Sequence, residues 1–271
     1  MFCSANWGIM VAGSRKKIRP GRGIAECSGK REPLSNFAYR VFDNCLSLAR
    51  RLLPPACILC AGSGAADGLC LGCRQSLPRL AVPRCPICAA PGTAAEVCGR
   101  CLNQRPAFDR VVAALAYAFP ADALVRALKY RGGLACARPL AAALADALDP
   151  EPYPDLVMPM PLAPRRLRER GFNQAMEIAR LVGAEFGLRI TANGCRRGRE
   201  SAPQASLPWK ERAANVRNAF VCEVDLEGKT VAVVDDVLTT GATLNELAAT
   251  LKRRGAREVW GWIVARTPPH R

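Results

Sequence analysis

Between residues 108 and 267 the apolar positions follow two alternating patterns. Short dense runs, such as RVVAALAYA (110–118), DLVMPMPL (155–162, ending at Pro161), NAFVCEV (218–224), TVAVVDD (230–236) and EVWGWIVAR (258–266), predict strands. Longer amphipathic segments predict helices: PADALVRALKY (120–130), ARPLAAALADAL (137–148), FNQAMEIARLVGAEF (172–186) and ATLNELAATLKRRG (242–255, closed by Gly255). In the third of these, Phe172, Ala175, Ile178, Ala179, Val182 and Phe186 share one helical face. Strands alternating with helices predict an α/β fold, a parallel sheet covered on both faces.

The preceding segment has a different pattern. Cys57 and Cys60, Cys70 and Cys73, Cys85 and Cys88, and Cys98 and Cys101 form CxxC pairs, and each cysteine of the first four recurs 28 positions later. Two C-x2-C-x9-C-x2-C units follow one another, joined by RQSLPRLAVPR (74–84). Two CxxC turns complete a sulfur tetrahedron around zinc, which marks a structural site because no coordination position stays open. The segment has too few large apolar residues to fold without metal. A thioredoxin-like redox role needs one CxxC beside a βαβ unit and not four in tandem. Whether each unit binds its own ion or the two are cross-braced is left open by spacing alone. Cys3, Cys27, Cys45, Cys136, Cys195 and Cys222 lack the spacing and are expected as plain thiols. The resulting organisation is a double zinc ribbon over residues 50–105 and an α/β domain over 106–271. Residues 1–45 are expected to be a disordered basic arm, or a segment read from a misassigned start.

Charge adds a polyanion to the picture. The chain carries a formal +16, of which +6 lies in residues 1–50, +4 in 51–110 and +7 in 157–217. Such a field attracts nucleic acid or phosphorylated small molecules, although it also serves solubility. No apolar run is long enough to span a bilayer and the first residues lack the order of an export signal. With paired cysteines suited to metal, a cytoplasmic location and no membrane insertion are expected.

The chemistry concentrates in VAVVDDVLTTGATLNE (231–246). Ligands of open parallel sheets bind beyond the carboxyl ends of the strands, where Asp235 and Asp236 stand. The following loop leads into a helix, whose N-terminus offers unpaired N–H groups and a positive dipole end. Gly241 lets the backbone curl round an anion, and Thr239, Thr240 and Thr243 add hydroxyls. A carboxylate accepts hydrogen bonds from vicinal hydroxyls, so a ribose 5-phosphate fits. A Walker B strand is excluded because GKT at 228–230 precedes a strand and Glu223 stands where the loop needs glycine. The single histidine, His270, leaves no Ser-His-Asp or Cys-His machinery.

VVDDVLTTGAT resembles the phosphoribosyl pyrophosphate (PRPP) signature of type I phosphoribosyltransferases. With LKYRG, MPMPL, RERGFNQ, PQASLPWKERAANVRNAF and the double ribbon, residues 50–267 are similar to the ComF family of competence-associated proteins. The resemblance implies a type I phosphoribosyltransferase-like parallel sheet flanked by helices, preceded by a small cysteine-rich zinc-ribbon module. It implies that Asp235 and Asp236 hold the ribose hydroxyls and that Thr239, Thr240, Gly241, Ala242 and Thr243 cradle the 5-phosphate. Lys129, Arg165, Arg168 and Asn173 are candidate pyrophosphate contacts, with Arg131, Arg166 and Arg170 nearby. The segment Arg196–Arg217 resembles a mobile hood, in which Gln204, Arg212 and Asn215 match family positions. Two structural Zn²⁺ ions, Mg²⁺ with PRPP, single-stranded DNA and DNA-uptake proteins are the implied cofactors and partners. Trp209 and Phe108 are the aromatic candidates for base stacking. Two functions follow: PRPP binding coupled to handling single-stranded DNA, or a phosphoribosyltransferase with a small acceptor and purely structural ribbons.

Overall fold

The computed structural model describes residues 55–65, 67–92, 96–148, 153–198 and 219–268. Every described residue belongs to one compact unit, Arg50–Arg271. The expected basic arm therefore lies outside the described residues, as do Gln204, Trp209, Arg212 and Asn215 of the expected hood.

Four parallel strands form the main sheet in the order β1, β6, β5, β2. They are β1 (Arg110–Ala116), β2 (Leu156–Pro159), β5 (Thr230–Leu238) and β6 (Glu258–Arg266). The two central strands read as continuous apolar runs because both of their faces are covered. Val231 and Val233 belong to one hydrophobic core and Ala232 and Val234 to the other, as the period-2 alternation of a strand requires. NAFVCEV does not join this sheet. Its strand β4 (Phe220–Cys222) pairs antiparallel with a short β3 (Cys195–Arg197) that the apolar pattern did not reveal. Cys195 and Cys222 are register partners in this hairpin and are joined as a disulfide, contrary to the plain thiols expected. Their separation of 27 residues carries no local signal. Cys136 is a free thiol, as expected, and is buried.

Two five-residue helices, α1 (Leu71–Gln75) and α2 (Gly99–Asn103), begin inside the second CxxC of each cysteine unit, with its first cysteine as N-cap. The longer helices are α3 (Ala121–Tyr130), α4 (Ala137–Ala147), α5 (Pro164–Arg170), α6 (Gln174–Phe186) and α7 (Ala242–Arg253). Helices α3, α4 and α6 share one core with the first cysteine unit, through Cys57, Leu69 and Leu77. Helix α7 shares the opposite core with the second unit, through Cys85, Cys88 and Cys101. The two cysteine units therefore pack against opposite faces of one sheet. The linker joining them runs along the edge strand β1. Leu80 N–H donates to Ala114 O at 3.1 Å, Ala116 N–H to Pro78 O at 2.7 Å, and the Arg84 guanidinium to Ala113 O at 2.9 Å. An edge whose N–H and C=O groups are paired in this way no longer templates aggregation.

Ala175, Ile178, Ala179 and Val182 bury the α6 face as predicted, while Phe172 precedes the helix and Phe172 and Phe186 are only partly buried. On the other side of the sheet, Leu244, Leu247, Ala248 and Leu251 seat α7. That contact depends on Gly261 in β6, where an added Cβ would lie 2.7 Å from Leu244 Cδ2 and 3.0 Å from Val111 Cγ2. Overpacking of a filled core costs about 1–3 kcal/mol. Gly261→Ala is therefore expected to lower unfolding stability by that amount in a denaturant titration, and wild-type stability would contradict this packing.

Candidate functional site

Each cysteine unit gathers its own four sulfurs. The Sγ atoms of Cys57, Cys60, Cys70 and Cys73 lie within 4.8 Å of one another, and so do those of Cys85, Cys88, Cys98 and Cys101. The grouping is sequential rather than cross-braced. Tetrahedral Zn–S bonds of about 2.3 Å place sulfurs about 3.8 Å apart, and Cys60–Cys70 and Cys88–Cys98 stand at 3.7 Å. The donor chemistry also calls for a cation. The backbone N–H of Cys70 leads the interactions that hold the Cys57 thiol down to about 6, whereas the neighbouring thiols of Cys60, Cys70 and Cys57 push Cys73 up to about 12. Burial, then Cys88, pushes Cys101 upward in the second cluster. Four thiolates this close can coexist only around a cation. Both clusters fit structural Zn²⁺.

A cleft of about 710 Å³ opens beyond the carboxyl ends of the strands. Its floor is the turn from β5 to α7, so Asp235, Asp236, Thr239, Thr240, Gly241, Ala242 and Thr243 all line it. Gly241 has φ +80°, a left-handed conformation open to glycine at little cost. Phe108 packs behind this glycine and is buried, so it is a core residue and not an exposed stacking platform. Thr240 Oγ1 accepts the Ala242 N–H at 3.1 Å and so satisfies one of the unpaired N–H groups at the start of α7.

The two aspartates differ. Asp235 shares a face with Val233 and remains half-buried at the cleft, while Asp236 turns to the α3 face and is 2% exposed. Lys129 Nζ stands 2.9 Å from Asp236 Oδ2. That oxygen has no angularly aligned hydrogen-bond donor, so the pair is held by charge at short range. Burial works to lower the Lys129 pKa, but the Asp236 carboxylate outweighs it and the net value is raised. Asp235 Oδ1 accepts the Asp236 N–H at 2.9 Å. Burial, then the adjacent Asp236 carboxylate, push the Asp235 carboxyl well above the usual carboxylate range.

The arginine-rich segment after β2 folds as helix α5, an element hidden by its lack of apolar positions. Pro164 at its start and Gly171 in left-handed conformation at its end delimit it. The helix directs Arg166 and Arg170 into the cleft lining. Arg165 instead pairs with Glu169 at 2.8 Å, and Arg168 is exposed outside the lining. Arg170 stacks 5.2 Å above the Tyr130 ring and donates to Gln174 Oε1 at 3.0 Å. Asn173 is an N-cap: its Oδ1 accepts Ala175 N–H at 3.0 Å and its Nδ2 donates to Met160 O at 3.1 Å. It thus ties α6 to the end of β2. Arg197 of the β3–β4 hairpin also lines the cleft. Burial and then Arg166 lower its pKa while Asp235 raises it, which places these three groups in mutual electrostatic reach. Arg166 and Arg170 are among the basic residues that the sequence places near the site, whereas the contribution of Arg197 depends on the hairpin.

Residues 48–102 match the double zinc ribbon domain and residues 169–267 the phosphoribosyl transferase domain. The chain is similar to Competence protein F of Haemophilus influenzae, 32% identical over 221 residues that span 78% of this chain and 96% of that one. It is also similar to DNA utilization protein YhgH of Salmonella typhi, 35% identical over 227 residues, 79% and 98% of the two chains. Among solved structures, purine phosphoribosyltransferase from Pyrococcus horikoshii is 21% identical over 48% of this chain and 73% of that one, with a TM-score of 0.30.

Two outcomes follow from the site's charges. Purified protein is expected to hold two zinc ions per chain by elemental analysis, and Cys57→Ser with Cys60→Ser to hold one with the sheet intact. A single zinc in fresh wild type would contradict the pair of sites. The second outcome concerns Asp235. Its raised pKa means that ionisation opposes folding as pH rises above the unfolded value near 4. Asp235→Asn should therefore match wild type at pH 4 and melt higher at pH 8. Solvent screening at the open cleft limits the gain to the order of 1 kcal/mol, about 2–4 °C. A variant melting lower at pH 8 would reverse the assigned sign.

Proposed function

The chain belongs to the ComF family, with Competence protein F and YhgH as relatives, and we propose that it binds PRPP in the cleft and handles single-stranded DNA. The observation that carries the PRPP reading is the opposition of two charge patterns across one cleft. A helix N-terminus with threonine hydroxyls forms one wall and Arg166, Arg170 and Arg197 lie around the space that a second phosphate group needs. Backbone N–H groups and hydroxyls suit the 5-phosphate, and guanidinium forks suit the pyrophosphate. Among the sequence candidates for that second role, the ion pair of Lys129 with Asp236, the cap formed by Asn173 and the position of Arg165 and Arg168 outside the lining favour Arg166 and Arg170, and Arg197 joins them.

Asp235 makes no ion pair among the described residues, so its carboxylate is the group available to a ribose diol. Asp236 supports it by holding Lys129 at the same strand end. The donor set also fits Mg²⁺ bound with PRPP: a hard cation takes most of its ligands from pyrophosphate, ribose and water, and its charge would favour the ionised form of the nearby Asp235 carboxyl. Loss of pyrophosphate from the anomeric carbon calls for charge stabilisation and positioning more than a strong base, and the arginines offer the first. The DNA reading is supported by the formal +16 and by the names of the relatives. No helix among the described residues is long and apolar enough to cross a membrane.

Asp235→Asn keeps shape and removes the charge of one acceptor. A hydrogen bond to a charged group contributes about 1.5–3 kcal/mol, so calorimetry with PRPP and Mg²⁺ should show binding weakened about tenfold to a hundredfold. Single-stranded DNA binding in a fluorescence assay should persist, with a salt slope near −0.7 per phosphate neutralised. Wild-type PRPP affinity in the variant would remove Asp235 from the ribose. Absence of DNA binding at low salt would refute the DNA reading, and pyrophosphate release with a small acceptor alone would favour the enzyme reading.

A further inference from the structure

The β5–α7 loop has a second side. Behind it lies a cavity of about 240 Å³, bounded by the second cysteine cluster and by Arg100 and Arg266. Arg266 closes β6 and is 3% exposed. Its Nε donates to Cys88 O at 3.2 Å, and its Nη1 donates to Leu238 O at 3.1 Å and Thr239 O at 2.6 Å. Burial lowers its pKa, yet the charge is satisfied by carbonyl oxygens rather than by an acid. Arg100 stands in α2, between the ligands Cys98 and Cys101, and its Nη2 donates to Thr240 O.

Three successive carbonyls, Leu238, Thr239 and Thr240, thus turn toward two guanidinium groups. The intervening peptides are trans, and in a trans peptide the N–H points opposite to the C=O. The N–H groups of Thr239, Thr240 and Gly241 are therefore aimed away from the arginines, toward the cleft, and none has an acceptor among the described residues. The first cluster makes different contacts. Arg74 of its helix α1 reaches Asp146 of α4 at 3.3 Å, and Arg79 of the linker reaches it at 3.0 Å.

We propose that the second zinc ribbon is a working part of the anion site: Arg100 and Arg266 are positioning residues that fix the loop's peptide planes, so that metal in the second cluster, and not in the first, sets its affinity for a phosphate. The inference rests on the reading that this loop takes the 5-phosphate of PRPP. It assigns unequal roles to two clusters that the sequence repeat presents as equivalent.

The test uses the full zinc-loaded chain and two readouts. In calorimetry with PRPP and Mg²⁺, Arg100→Met is expected to bind about tenfold more weakly with zinc content unchanged, and Arg100→Lys to stay within about threefold of wild type. Cys98→Ser is expected to lose at least about tenfold and Cys60→Ser less than about threefold. In amide NMR spectra without ligand, the resonances of Thr239, Thr240 and Gly241 should move in Arg100→Met and Cys98→Ser and hold still in Cys60→Ser. Arg100→Met with unmoved loop resonances, or equal effects of Cys98→Ser and Cys60→Ser on the loop, would overturn the inference. If wild type fails to bind PRPP, the ligand reading falls, and the NMR comparison still decides the positioning.

Discussion

A parallel strand buried on both faces can turn polar only where it leaves the sheet, and the site depends on this constraint. Strand β5 is buried from Thr230 to Val234 and meets its two aspartates at the carboxyl end. Alternation sends Asp235 and Asp236 to opposite faces. One stays at the mouth of the cleft, and the other is buried and needs the Lys129 ammonium. Carboxylates so close to an apolar core are costly. Asp235 accordingly is a residue whose ionisation opposes folding.

The two metal clusters bracket that sheet. Neither cysteine unit has enough apolar surface to fold alone, and each contributes cysteine sulfurs to a different core. Metal binding thus stabilises both layers at once, and the linker between the units seals the edge of β1. On the α7 side the same packing reaches the β5–α7 loop through two guanidinium groups. On the α3–α4 side it stabilises the helix that carries Lys129.

Much of this was legible in the sequence, and the gaps have physical causes. The central strands, the long helices, the eight ligand cysteines and the β5–α7 loop announce themselves through period and spacing. Helix α5 was missed because PRRLRER has no apolar stripe, and its sequence shows only charge. Strand β4 was legible within NAFVCEV, but its partner β3 was missed because a three-residue strand lies below any periodicity, and with it the hairpin, the disulfide and Arg197. Phe108 read as an exposed aromatic because a lone ring beside a basic module gives no sign of burial; only the contact with Gly241 does. Arg266 read as the end of a strand, since hydrogen bonds to carbonyls from distant loops leave no pattern in sequence.

The central claim is that the loop from Thr239 to Thr243 cradles the phosphate of a phosphoribosyl ligand with its backbone, held in place from behind. The most direct measurement is a crystal structure of the zinc-loaded chain with PRPP and Mg²⁺. The account predicts the 5-phosphate within hydrogen-bond distance of the Thr239, Thr240 and Gly241 N–H groups, the ribose hydroxyls on Asp235, and the Leu238, Thr239 and Thr240 carbonyls still turned to Arg266 and Arg100. A ligand phosphate bound away from the loop, or loop carbonyls turned into the cleft, would contradict it.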